Sequence, residues 1–131
     1  MKSYTDIEQS KKLAEILPVE SADGFYEAQH NPLTDKWEYI LFTGNKWASE
    51  EVVIPCWSLA ALIEVLPLGI DIHNISDGQK TYYYVELYTK EIYIKLKHMN
   101  KEEICLSTER HENLVDACVE MIVTLKEKDL L

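Results

Sequence analysis

A chain of 131 residues can bury roughly two thirds of its unfolded surface, enough to hold a core without disulfides or metals. Thirteen Lys and Arg against 23 Asp and Glu leave a formal charge of −10, a field that repels phosphate backbones and anionic headgroups and so disfavours nucleic acid and membrane as partners. Arg110 is the only arginine, which removes the usual bidentate clamp for phosphate, and four Gly with four Pro are too few for a disordered chain.

Taken in order, the chain predicts a first helix over about Asp6–Leu17. Thr5 with Glu8 reads as a capping box, Ile7, Leu13, Ala14 and Leu17 recur at helical spacing, and Pro18 stops the run. Gly24–Gln29 and Lys36–Phe42 read as two aromatic-rich strands joined by the turn-like His30–Asp35. Val52–Ile54 forms a short extended lead into a second helix, nearly all apolar and therefore expected at the centre of the core, that ends at Pro67. After Asp77–Gly78, the runs Thr81–Tyr88 and Glu91–Lys97 alternate with period two and predict a tight hairpin turning at Thr89–Lys90. In that register Leu87 pairs with Ile92, Val85 with Ile94 and Tyr83 with Leu96 on a core face. Glu86, Tyr84 and Tyr82 then lie opposite Tyr93, Lys95 and Lys97 on a wetter one. Glu103–Ser107 adds a short strand. A last helix starts at Asn113, with Asp116 in its first turn, Lys126 and Lys128 at its far end, and a stripe of Leu114, Ala117, Cys118, Met121, Ile122 and Leu125. The fold class is thus α+β: an antiparallel sheet built from two hairpin units packed against three helices, in the order αββαββ(β)α, as a single domain over residues 1–131. Leu13–Pro18 echoes Leu62–Pro67, but a leucine-rich helix stopped by proline is a common solution, and no duplication is inferred.

Cys56, Cys105 and Cys118 are an odd number without CxxC spacing, and the opening MKSYTDIEQSKK lacks the apolar run of a secretion signal, so a cytoplasmic protein with free thiols is expected. Leu59–Ile70, broken by Glu64 and Pro67, is too short to span a bilayer. Cys56 and Ser58 sit at a helix start, where a thiol pKa falls and an oxyanion is stabilised. The flanks Ile54, Pro55, Trp57 and Leu59 point instead to burial, which makes a thiol inert, and no histidine has a spacing that sets it beside Cys56. Asp71 with His73, and Cys105 with His111, are too few and too scattered for a metal. No catalytic, cofactor or metal residues are assigned. The feature left over is the outer face of the tyrosine hairpin, where Tyr82, Tyr84 and Tyr93 lie among Lys95 and Lys97, a composition suited to a protein partner or to self-association.

The segments IPCWSLAALIEVLP, NLVDACVEMIVTLKEKDLL and YTDIEQSKKLAEILPVESAD resemble a family of short, uncharacterised bacterial proteins of gut anaerobes. The resemblance covers less than half of the chain and implies a prophage or mobile-element setting, with no activity or ligand attached. The resulting expectation is a small, non-catalytic interaction or accessory protein. Two alternatives stand beside it: an acidic inhibitor that mimics nucleic acid toward a basic protein, and a small enzyme with a site near Cys56 and Ser58.

Overall fold

In a computed structural model the described residues are 2–44, 53–67, 70–88 and 105–131, with backbone alone at 70, 88 and 105. They form helix α1 (Ile7–Ile16), a single 3-10 turn (Val19–Ser21), strands β1 (Gly24–Asn31), β2 (Lys36–Thr43) and β3 (Val53–Cys56), helix α2 (Leu59–Val65), strands β4 (Ile70–Ser76), β5 (Thr81–Tyr88) and β6 (Cys105–Ser107), and helix α3 (Leu114–Glu127). The expected α+β class and element order are both present. The strands make two antiparallel three-stranded sheets, ordered β2-β1-β3 and β4-β5-β6.

Each helix boundary has a local cause. Asp6, not Thr5, caps α1: its carboxylate accepts the Gln9 amide at 2.8 Å while Gln9 Oε1 accepts the Asp6 amide at 3.1 Å, a reciprocal pair that satisfies two otherwise orphaned donors. Thr5 is drawn inward because its N–H donates to the Trp57 carbonyl at 3.0 Å. Its hydroxyl shares a 2.7 Å bond with Ser10 and accepts the Trp57 amide at 3.2 Å. Leu17 and Leu66 both turn extended at the helix ends, as residues before proline must. At the end of α3, Asp129 takes φ 58°, which lets the Leu130 N–H reach back to the Leu125 carbonyl at 2.8 Å and folds the buried Leu130 side chain under the helix.

The core centres on α3 rather than on α2. Val115, Ala117, Cys118, Val119, Met121, Ile122 and Leu125 of α3 are all buried, with Leu114 packed beside them. Helix α2 buries Ala61 and Leu62 but turns Ala60, Ile63 and Glu64 to the outside. A two-turn helix is too short to be enclosed on every side, and its apolar composition overstates its burial. Leu13 of α1, Leu17 at its C-terminal end, Trp57 before α2, and Val85 and Leu87 of β5 join the cluster, with Ala22, Leu66 and Leu130.

The partner of β5 also differs from expectation. β5 pairs with β4, Ser76 facing Thr81 across the turn at Asp77–Lys80 and Ile70 facing Leu87. On its other edge Leu87 faces Leu106 of β6, and Thr108 prolongs that edge, its hydroxyl accepting the Val85 amide at 2.9 Å. Glu91–Lys97, read from sequence as the partner of β5, lies outside the described residues. The alternation itself holds: Val85 and Leu87 are buried, whereas Tyr82, Tyr84 and Glu86 on the other face are half-buried.

Candidate functional site

Four regions carry the chemistry worth weighing, beginning with the start of α2. Cys56 is fully buried, and burial, reinforced by the nearby Asp23 carboxylate, pushes its thiol up to about 12. Both the burial and the neighbouring carboxylate disfavour the thiolate, the form in which a cysteine reacts. Ser58 caps α2 by accepting the Ala61 amide at 3.2 Å, and its own hydroxyl donates to Asp23 in a short hydrogen bond. The Ser58 amide also donates to Asp23, at 2.8 Å. The indole N–H of Trp57 donates to Ser21 at 2.9 Å. These bonds fasten the start of α2 to the turn before β1, and the described histidines are engaged elsewhere: His30 with Asp35, His111 with Glu120, and His73 stacked on Tyr84.

A shallow groove of about 620 Å³ lies between α1 and α3, lined by both carboxylates and cations. Lys2 donates to Asp116 at 2.6 Å and to Asp6 at 3.1 Å, Gln9 donates to Asp116 at 2.8 Å, and His111 bonds Glu120 at 3.0 Å. Burial works to raise the pKa of Asp116, but these bonds outweigh it and hold the carboxyl below its ordinary range. Asp6 and Asp116 thus share the Lys2 ammonium, while Glu120 is bonded by the His111 ring.

The tyrosine face places Tyr82 and Tyr84 beside Glu86 on β5 and across from Ile75, His73 and Asp71 of β4. The His73 and Tyr84 rings stack at 4.6 Å. Tyr93, Lys95 and Lys97, which complete the expected surface, lie outside the described residues. Asp71 and His73 share one face of β4 as expected, and no group of three or more metal-ligating side chains occurs among the described residues.

The region that sequence reasoning passed over is β2. Side chains alternate across a strand, so Trp37, Tyr39 and Leu41 share one face of the first sheet while Ile40 and Phe42 share the other. Trp37 is 71% exposed, Tyr39 48%, and Ile40 and Leu41 40% each. Phe42 stacks on Phe25 at 5.3 Å, and the Trp37 ring lies tilted against His30 of β1 at 5.4 Å, a contact that still leaves most of the indole exposed. The Gly44 amide donates to the Asp23 carbonyl at 2.8 Å, which fixes the parity of the ladder. With Gly24 opposite Thr43, hydrogen-bonded pairs fall on Phe25–Phe42, Glu27–Ile40 and Gln29–Glu38, and the N–H and C=O of Trp37, Tyr39 and Leu41 point away from β1. Among the described residues no strand takes up that outer row. Trp37–Phe42, WEYILF, is apolar on both faces, the pattern of a strand with neighbours on every side, yet no described strand lies along its outer row.

Comparison with known proteins identifies no matching family model, no matching curated protein and no matching solved structure. Among the described residues, no helix is long and apolar enough to cross a membrane.

Proposed function

We propose that this protein is a small, non-catalytic interaction protein that binds a protein partner along the open edge of β2. The observation that carries the reading is the conjunction at one strand of an outer backbone row that no other described strand pairs with and exposed Trp37, Tyr39, Ile40 and Leu41. Edge strands are ordinarily blunted by charge, proline or a bulge, and residues 39–42 contain none of these. An edge so equipped suits strand addition, in which backbone bonds supply affinity and alternate side chains supply specificity. Tyr82 and Tyr84 offer a second, half-buried surface, to which the reading gives the lesser part.

Buried free thiols at Cys56 and Cys118 suit a cytoplasmic setting. An accessory role in a bacterial mobile element rests on the resemblance of the helical segments alone. The test is photo-crosslinking in the native host, with a photoreactive phenylalanine analogue at Trp37 and, as control, at the exposed Lys11 of α1. A discrete protein adduct is expected from position 37 and not from position 11. Absence of any protein adduct at 37, or the same adducts from both positions, removes it.

A further inference from the structure

We infer that the occupant of the β2 edge is a second copy of this chain, paired antiparallel with its β2 about a two-fold axis through Tyr39. This rests on the reading of β2 as a docking edge and names its partner. Parity comes first. A two-fold axis perpendicular to the sheet keeps each face on its own side, so opposed residues must both be odd-numbered or both be even-numbered. Outward backbone groups belong to Trp37, Tyr39 and Leu41, and all of them are odd. With Tyr39 on the axis it exchanges both hydrogen bonds with its own counterpart, and Trp37 and Leu41 do so with each other, so every outward group in the stretch is satisfied at once.

Side chains select the same register. The most exposed ring, Trp37, then lies across from Leu41 of the other copy on both sides of the axis, and the two Tyr39 rings adjoin between them. This gathers one apolar cluster on one face. On the opposite face Lys36 meets Phe42 and Glu38 meets Ile40. Sliding by one step toward the hairpin turn would set Glu38 against Glu38, where like charges repel, and sliding by one step the other way would set Trp37 against Thr43. The centred register thus has neither a charge clash nor a stranded aromatic ring.

Area fixes the strength. The exposed parts of Trp37, Tyr39, Ile40 and Leu41 amount to on the order of 400 Å² of side chain per copy, about half of what each partner gives to a standard stable interface, roughly 800 Å². Each copy also carries a charge of −10, which opposes association and is screened by salt. The dimer is therefore weak and reversible, and it tightens as salt is added, opposite to a contact held by ion pairs.

Sedimentation equilibrium of the full chain over a wide concentration range, at low and high salt, tests the association. Single cysteines in a Cys105→Ser background test the register. Opposed hydrogen-bonded residues lie about 5.5 Å apart at Cα, within disulfide range, so Tyr39→Cys should form a covalent dimer under mild oxidation. Leu41→Cys, several residues from its counterpart, should not. Trp37→Glu should raise the dissociation constant at least tenfold. A chain that stays monomeric at every concentration and salt level overturns the inference, as does a dimer in which the Tyr39→Cys variant fails to link or the Leu41→Cys variant links as fast. A monomer that still gives a host-protein adduct from position 37 overturns the second copy while leaving the docking edge in place.

Discussion

The outer strands of the two sheets, β2 and β4, make an instructive pair. β4 reads Ile70-Asp-Ile-His-Asn-Ile-Ser76, polar at nearly every second residue, and an edge of that kind is at ease in water. β2 reads Lys36-Trp-Glu-Tyr-Ile-Leu-Phe-Thr43 and is mostly exposed along its length. Their sheets differ as well. The second is roofed by α3, which seals Val85 and Leu87. In the first, Gly24 and Cys56 are buried at the end beside Tyr4, whereas β2 stays in the open. Hydrophobic content alone does not bury a strand; another packed layer must lie over it, and the chain spends its longest described helix on the second sheet.

Truncation measures that contrast most directly. Leu87→Ala removes a fully buried side chain and is expected to cost about 3 kcal/mol, within the usual range for core leucines. Leu41→Ala, on the open strand, is expected to change the stability of the dilute chain by about 0.5 kcal/mol or less. Urea midpoints followed by the fluorescence of the buried Trp57 give both values. Equal costs at the two positions would mean that β2 is covered in solution even when dilute.

The closed end of the first sheet gives the next largest effect. A Cβ placed on Gly24 would stand 2.9 Å from Cys56 Sγ, 2.9 Å from the Tyr4 ring and 3.1 Å from the Phe42 carbonyl, and because one of these is backbone the strain is not relieved by a rotamer change. Gly24→Ala should therefore destabilise by about 1–3 kcal/mol, the range for overpacking. A smaller cost, about 1 kcal/mol, is expected for Ser58→Ala, which removes the cap of α2. A neutral result at Gly24 would show the closed end to be as loosely built as the edge.

Much of this arrangement was legible beforehand. The last helix from Asn113, the first hairpin, the stop signals at Pro18 and Pro67, the burial of Cys56 and the inward direction of Val85 and Leu87 all follow from local chemistry. What escaped depended on distant partners. Thr5 and Asp6 are both competent caps, and the choice was made by Trp57, whose backbone draws Thr5 inward. Thr81–Tyr88 alternates cleanly, but alternation sets which way side chains face and not which strand lies alongside. β2 was read correctly as a strand; that it lay uncovered depends on where α1 and α3 settle, which no property of WEYILF encodes.

A further small effect, and one that depends on pH, concerns the seam that joins the two halves. Lys2 and Gln9, at the α1 end of the chain, both donate to Asp116 on α3, so this carboxylate links the segment beside the first sheet to the roof of the second. Its folded pKa is depressed, and its stabilisation is therefore present above the unfolded carboxylate value of about 3.9 and fades as pH falls through the lower folded value. Because the Asp116 side chain is still 33% exposed, solvent screening limits Asp116→Asn to roughly 1 kcal/mol or less at neutral pH. The deficit relative to the parent chain should close as acid protonates Asp116, a trend that urea midpoints between neutral and strongly acidic pH would follow. Loss of the seam should also let the sheets melt less cooperatively, with amides of β1 and β3 exchanging ahead of those of β5. A deficit that persists unchanged into acid would assign the role of Asp116 to packing at the start of α3, and the two sheets would then be coupled through the leucine core alone.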